Sequence, residues 1–245
     1  MNDQPTPKKE NPLEKLNIQL IDPKVTRLAG TQVRIPEHPE IQTPEQAIAY
    51  FARVSNPSNQ ANPENEKLIA YCLNNKHWSV FEQVHMTVEV VTSRAVSAQM
   101  LRHKFNWQEF SQRYASVHLF MKVEARKQDT KNRQNSIELT QEEIELDKWL
   151  KEQYLQTLSV AVLSYQQALE KGIAKEVARL LLPINTATTL VMTGNARSFI
   201  HYIDLRTGNG TQKEHKIIAE KIKEVFVQEY PIISKIKGYD KPNNI

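Results

Sequence analysis

The 245-residue sequence predicts an α+β fold, a helix-rich single domain with a small central sheet. Three observations predict it. Helix start signals recur along the chain, strand-like segments are few and separated by long helical stretches, and no linker-like segment divides residues 16–240. Residues 1–15 are polar, carry three prolines and lack an apolar period, so they read as a flexible N-terminal tail, with the domain spanning 16–245.

The elements follow in order. Arg34 to Pro44 is broken by prolines and reads as a loop. Thr43, Pro44 and Gln46 combine an N-cap, a first-turn proline and a capping-box partner, and Ala47, Ile48, Phe51 and Val54 then recur at helical spacing. Asn62-Pro63 opens a second helix with Leu68, Ile69, Cys72 and Leu73 on one side. Val84, Met86, Val88 and Val90 alternate with His85, Thr87 and Glu89, the pattern of a half-buried strand. Ser93 caps a helix expected to run to about Lys104. Thr140 and Glu143 form a capping box before a long helix ending near Gly172. Residues 174–182 read as a shorter helix stopped by Pro183, and 186–192 have the β-branched content of a strand. Asn195 caps a helix to about Arg206, and Thr211 with Glu214 opens the last long one, its buried face formed by Ile217, Ile218, Ile222, Val225 and Phe226.

Composition narrows the function. Lys and Arg exceed Asp and Glu by 32 to 28, a formal charge of +4 spread along the chain, which is a poor footprint for nucleic acid. No window approaches the roughly 18 unbroken apolar residues of a membrane span. The N-terminus lacks an apolar signal region, so a cytoplasmic location is expected. A single cysteine, Cys72, excludes an internal disulfide framework and a cysteine metal cage, and no metal site is expected. Phosphate loops of the GxGxxG and GxxxxGK[ST] types are absent.

The densest polar segment runs from Gln99 through Arg102, His103, Lys104, Gln108, Glu109, Phe110, Ser111, Gln112 and Arg113 to Tyr114. It mixes cations, hydrogen-bonding side chains and aromatics. Arginine can grip a phosphate with a bidentate fork, and an aromatic can stack on a planar ring, so the mixture suits a nucleotide. On composition alone, a solvated basic helix end followed by a loop explains the segment equally well.

The segment also resembles a signature of the flavin-dependent thymidylate synthases, which carry Arg-His-Arg, seven residues and Ser within a longer string ending Glu-x-Ser-x-Arg-Tyr. Here Arg102-His103-Lys104 is followed by six residues and Ser111, inside Glu109 to Tyr114, with Lys104 at the second arginine position. Three further stretches resemble the same family in the same order: His77 to Glu82, Glu176 to Pro183 containing Arg179, and Asn195 to Arg206 containing Arg197 and His201. The resemblance covers about residues 43–230.

The resemblance implies reductive methylation of deoxyuridine monophosphate (dUMP) to thymidylate (dTMP), with 5,10-methylenetetrahydrofolate as carbon donor, FAD as cofactor and NADPH as reductant. It assigns dUMP to Gln99, Arg102, Glu109, Phe110, Ser111, Gln112, Arg113, Arg179 and Arg206. It assigns FAD to Ser79, Glu82, Arg102, His103, Lys104, Asn195, Arg197 and His201. The catalytic group would be Arg179, His103 and Arg102, with Arg179 beside the uracil, where it could stabilise negative charge developing on the ring. The family builds its sites from several subunits of a homotetramer. The residues agree on one point. Cys72 has no nearby Arg or histidine pair to favour its thiolate and reads as a small buried hydrophobe. Ser111 lacks an evident general base and reads as a phosphate ligand rather than a nucleophile.

Overall fold

The computed structural model describes residues 16–55, 62 and 64–241, so the N-terminal tail read over 1–15 lies outside them. In chain order the strands are β1 (Gln19–Ile21), β2 (Lys24–Gly30), β3 (His85–Ser93), β4 (Asn106–Glu109), β5 (Leu119–Met121), β6 (Lys127–Gln128), β7 (Ser136–Ile137) and β8 (Ala187–Asn195). The α-helices are α1 (Pro44–Arg53), α2 (Asn65–Asn74), α3 (Arg94–Met100), α4 (Ile144–Glu170), α5 (Lys175–Ala178), α6 (Ala196–Arg206), α7 (Lys213–Glu229) and α8 (Pro231–Lys237). Short 3-10 turns cover Trp78–Glu82, Gln141–Glu143 and Arg179–Leu181. The fold is α+β.

The chain groups into two compact units. The first holds residues 16–22, Thr92–Ala95 and Phe110–Thr188, and the second holds Pro23–Val91, Val96–Glu109 and 189–241.

The second unit is organised by the sheet β2-β3-β8-β4, in which β4 pairs antiparallel with β8 and sets Glu109 opposite Leu190. The alternation expected in β3 is present: Met86, Val88 and Val90 are buried, while His85 is exposed and Thr87 and Glu89 are half-buried. Their buried face joins Leu190, Met192, Phe199, Ile200, Ile222 and Phe226 in one core. The capping box at α1 forms as expected, Thr43 accepting from the Gln46 backbone and Gln46 reaching back to Thr43, which is worth about 1 kcal/mol. Asn195 likewise caps α6 by accepting the Ser198 N–H at 2.9 Å.

The first unit has its own core of Ile18, Val117, Phe120, Leu158 and Val162, with β1 and β5 paired in parallel beside it. Its long helix α4 follows the Thr140–Glu143 capping box and buries only a narrow stripe, Leu158, Val162 and Tyr165. Leu146, Trp149, Val160 and Leu163 stay exposed on the same helix.

Several boundaries differ from the sequence expectation. Helix α2 starts at Asn65, because Asn62 spends its side-chain oxygen on the Glu64 N–H in a turn (Pro63 lies outside the described residues). Helix α3 stops at Met100 rather than near Lys104, since the chain must turn to enter β4. The expected helix over 174–182 is split into α5 and a 3-10 turn. Thr211 does not open α7; its hydroxyl reaches back to the Leu205 carbonyl, and α7 begins at Lys213. Its buried face includes Ile218, Ile222 and Phe226 as expected, whereas Ile217 and Val225 are half-buried and His215 is fully buried instead.

Candidate active site

On the second unit, the turn between α3 and β4 presents Arg102, His103 and Lys104. Backbone bonds from His103 N–H to the Met100 carbonyl and from Phe105 N–H to the His103 carbonyl set its curvature. Trp107 Nε1 donates to the same His103 carbonyl at 3.2 Å. Phe105 anchors the turn from beneath, in ring contact with Phe199 at 4.9 Å and Tyr202 at 5.9 Å. It fits because residue 194 is glycine: a Cβ there would lie 2.3 Å from Phe105 Cδ1.

The anchored turn fixes a defined charge state. Arg206 Nε donates to His103 Nε2 at 2.8 Å, so this ring nitrogen is an acceptor. His103 is pushed down to about 4, first by burial and then by the neighbouring cations, Arg206 foremost. At neutral pH it is an uncharged imidazole among cations. Arg102 and Lys104 are exposed, and among the described residues neither they nor Arg206 has a carboxylate within ion-pair distance.

The other residues assigned to flavin by resemblance also lie on this unit. Arg197 pairs with Glu82 and lies 5.8 Å from the centre of the Trp78 ring. Asn195 commits its oxygen to the helix cap, leaving its amide nitrogen without a partner among the described residues. Ser79 and His201 are exposed.

Besides Arg102, three further residues assigned to dUMP sit here. Glu109, half-buried at the end of β4, accepts from Ser97 Oγ at 3.2 Å. Gln99 bonds Gln212 at 2.6 Å and His215 at 3.2 Å, and Arg206 bonds His103.

The remaining dUMP residues belong to the first unit. Ser111 opens a turn: its carbonyl accepts from Tyr114 N–H and its Oγ accepts from Arg113 N–H at 3.3 Å. Phe110 is exposed, with its carbonyl held by Arg94 Nη2 at 3.0 Å. Gln112 is buried, and its amide nitrogen has no hydrogen-bond partner among the described residues. Glu176 ties two arginines together. Its carboxylate lies 3.5 Å from Arg113 Nε, and its carbonyl accepts from Arg179 Nε at 3.2 Å. Arg113, Arg179, Ser111 and Gln112 are thus described within one unit.

Some of the arrangement was not anticipated. Tyr202 and His215 form a buried pair, Tyr202 Oη to His215 Nε2 at 2.9 Å, that continues to Gln99. The sequence signal for His215 is a polar residue in register with the apolar face of Ile218 and Ile222. Cys72 is buried, and burial pushes its thiol up, away from a reactive thiolate. Among the described residues, no group of three His, Cys, Asp or Glu side chains is placed to hold a metal ion.

Comparison with known proteins agrees with the motif resemblance. Residues 39–232 match the profile of the family described as "Thymidylate synthase complementing protein". A "Probable flavin-dependent thymidylate synthase" of Paramecium bursaria Chlorella virus 1 is 50% identical over 204 residues, covering 80% of this chain and 91% of the viral one. A flavin-dependent thymidylate synthase of Synechocystis sp. is 46% identical over 193 residues, covering 78% and 88%. Among solved structures, a UMP/dUMP methylase, PolB of Streptomyces cacaoi bound to 5-Br dUMP, superposes with a TM-score of 0.76 at 25% identity, covering 89% of this chain and 96% of PolB. The chain therefore belongs to the thymidylate synthase complementing protein family, the flavin-dependent thymidylate synthases.

Proposed function

We propose that this protein forms dTMP from dUMP by reductive methylation, with FAD as cofactor, 5,10-methylenetetrahydrofolate as carbon donor and NADPH as reductant. The observation that carries this reading is the set of cations that have no counter-charge among the described residues and surround a neutral histidine: Arg102, Lys104 and Arg206 with His103. Cations held apart from carboxylates suit phosphate or pyrophosphate groups, which would supply the missing negative charge.

The donor chemistry fits a flavin nucleotide. Arg102 and Lys104 would meet the pyrophosphate, and the unpartnered amide of Asn195 and the Arg197–Glu82 pair over Trp78 offer polar and aromatic contacts. A bound flavin would supply the reducing equivalents for the methylation. His103, uncharged, would be an apolar-tolerant neighbour for the ring system, oriented by Arg206. Ser79, Glu82 and His201 complete this set.

For dUMP, Ser111 and Arg113 would hold the phosphate, and the orphaned amide of Gln112 supports a ligand acceptor at this turn. Arg179 would stabilise charge developing on the uracil. Gln99, Arg102, Glu109, Phe110 and Arg206 are the other nucleotide contacts in this reading. Orientation of a bound reactant in this way can contribute several kcal/mol. The reaction would use no cysteine nucleophile, in keeping with the buried, raised thiol of Cys72. A homotetramer with shared sites belongs to the same reading and is supported by the apolar residues that α4 leaves exposed.

The test is an assay for dTMP with each component omitted in turn. We expect product only when dUMP, methylenetetrahydrofolate, NADPH and FAD are all present. Saturable dUMP binding with no dTMP under complete conditions would overturn the proposal in favour of a nucleotide-binding protein.

A further inference from the structure

We infer that His215 is a positioning residue for the nucleotide site, fixing the side chain of Gln99 so that it offers a hydrogen-bond donor to an oxygen of dUMP. The inference rests on the proposed assignment of Gln99 to the nucleotide.

The argument starts from a buried polar group on an apolar face. His215 is 0% exposed on α7, in line with Ile218, Ala219 and Ile222. A side chain of this kind is retained at low cost only if both ring nitrogens are satisfied. They are: Nε2 meets Tyr202 Oη at 2.9 Å and Nδ1 meets Gln99 Oε1 at 3.2 Å. Gln99 continues to Gln212 Oε1 at 2.6 Å, and Gln212 Nε2 donates to Glu214 Oε2 at 2.9 Å.

The direction of this chain follows from its end. A carboxylate only accepts, so Gln212 donates its amide to Glu214 and turns its oxygen to Gln99. Gln99 must then donate through Nε2 and turn its own oxygen to His215. His215 Nδ1 therefore carries the proton, Nε2 accepts, and the Tyr202 hydroxyl donates. Burial pushes His215 down to about 4, consistent with one proton on the ring at neutral pH. Every member has one orientation. The oxygen of Gln99 is occupied, and one of its two amide hydrogens is left without a partner among the described residues. That hydrogen is what Gln99 can present, and it selects an acceptor such as the oxygens of dUMP.

The experiment measures dUMP and FAD binding for Gln99→Ala, His215→Leu, the double variant and His215→Gln, each checked by thermal melting. Leucine removes both bonds, whereas glutamine keeps one donor and one acceptor. We expect His215→Leu to weaken dUMP binding about tenfold with FAD binding unchanged, and His215→Gln to recover most of it. In the Gln99→Ala background, His215→Leu should change dUMP affinity by less than about twofold, because the two act through one contact. A folded His215→Leu protein with undiminished dUMP affinity would overturn the inference, as would an equal loss in the Gln99→Ala background. Unchanged dUMP binding by Gln99→Ala alone would instead overturn the assignment of Gln99 to the nucleotide, and the inference with it. If His215→Leu does not fold, Tyr202→Phe, which removes only the outer bond, replaces it in the same cycle. It should cost about threefold in dUMP affinity, and only when Gln99 is present.

Discussion

Arg206 and His103 meet nitrogen to nitrogen, Arg206 Nε donating to His103 Nε2 at 2.8 Å. A guanidinium stays charged, so the imidazole must accept and must be neutral. Replacing Arg206 by Met removes both the donor and a positive charge. His103 should then titrate higher, still below an ordinary histidine because its burial persists. An NMR titration of the ring protons measures this, and an unmoved His103 would show that burial alone sets its charge state.

Stability should depend on pH through the two buried histidines. His103 and His215 both sit at about 4 in the folded protein, against about 6.5 in the unfolded chain. Between those values the unfolded state binds protons that the folded state refuses, so stability falls as the pH drops from about 6.5 towards 4. Above that window neither histidine contributes. For fully buried His215 the loss is on the order of 2 kcal/mol. Thermal melts at about pH 5 and about pH 7.5 should show a lower Tm in acid, and His215→Gln should narrow the difference. Equal narrowing by a surface histidine variant such as His118→Gln would contradict this.

Gly194 carries a steric prediction. An added methyl would lie 2.3 Å from Phe105 Cδ1, and that ring is hemmed in by Phe199, Trp107 and Tyr202. Gly194→Ala should destabilise by about 1–3 kcal/mol and weaken FAD binding by displacing Arg102 and Lys104. Gly30→Ala is the control, since its methyl would meet the flexible ends of Glu229 and Arg27, which can swing aside. Denaturant unfolding and flavin titration of the two variants check the contrast.

Ser111 and Arg179 separate binding from chemistry. Ser111→Ala should weaken dUMP binding about tenfold and leave measurable turnover at saturating substrate. Arg179→Ala should lower dUMP affinity and methylation more than FAD affinity. Steady-state kinetics with parallel flavin titration decides both, and complete loss of turnover by Ser111→Ala at unchanged dUMP affinity would make Ser111 a nucleophile.

The parts of the fold that were legible in the sequence are those governed by local rules. Thr43 with Gln46, Thr140 with Glu143, and Asn195 with the Ser198 N–H each close their caps between residues three apart. The alternation from Met86 to Val90 reports burial on one face of one strand. The short strands β1, β2, β4 and β5 were not legible, because their stability lies in partners far away in the chain. Gln108, for example, pairs with Val191. In the site, the residue types that bind anions were readable from 102–113, yet the acceptor role of His103 Nε2 is set by Arg206, 103 residues later. The link from Gln99 to His215 spans 116 residues and left no local trace.

The central claim is that methylation of dUMP here depends on a flavin and on no cysteine. It is tested most directly by stripping flavin from a Cys72→Ala variant and measuring dTMP before and after reloading with FAD. The account predicts no product without FAD and near wild-type product with it. Product formed without flavin, or loss of product in a folded, FAD-loaded Cys72→Ala protein, would contradict it.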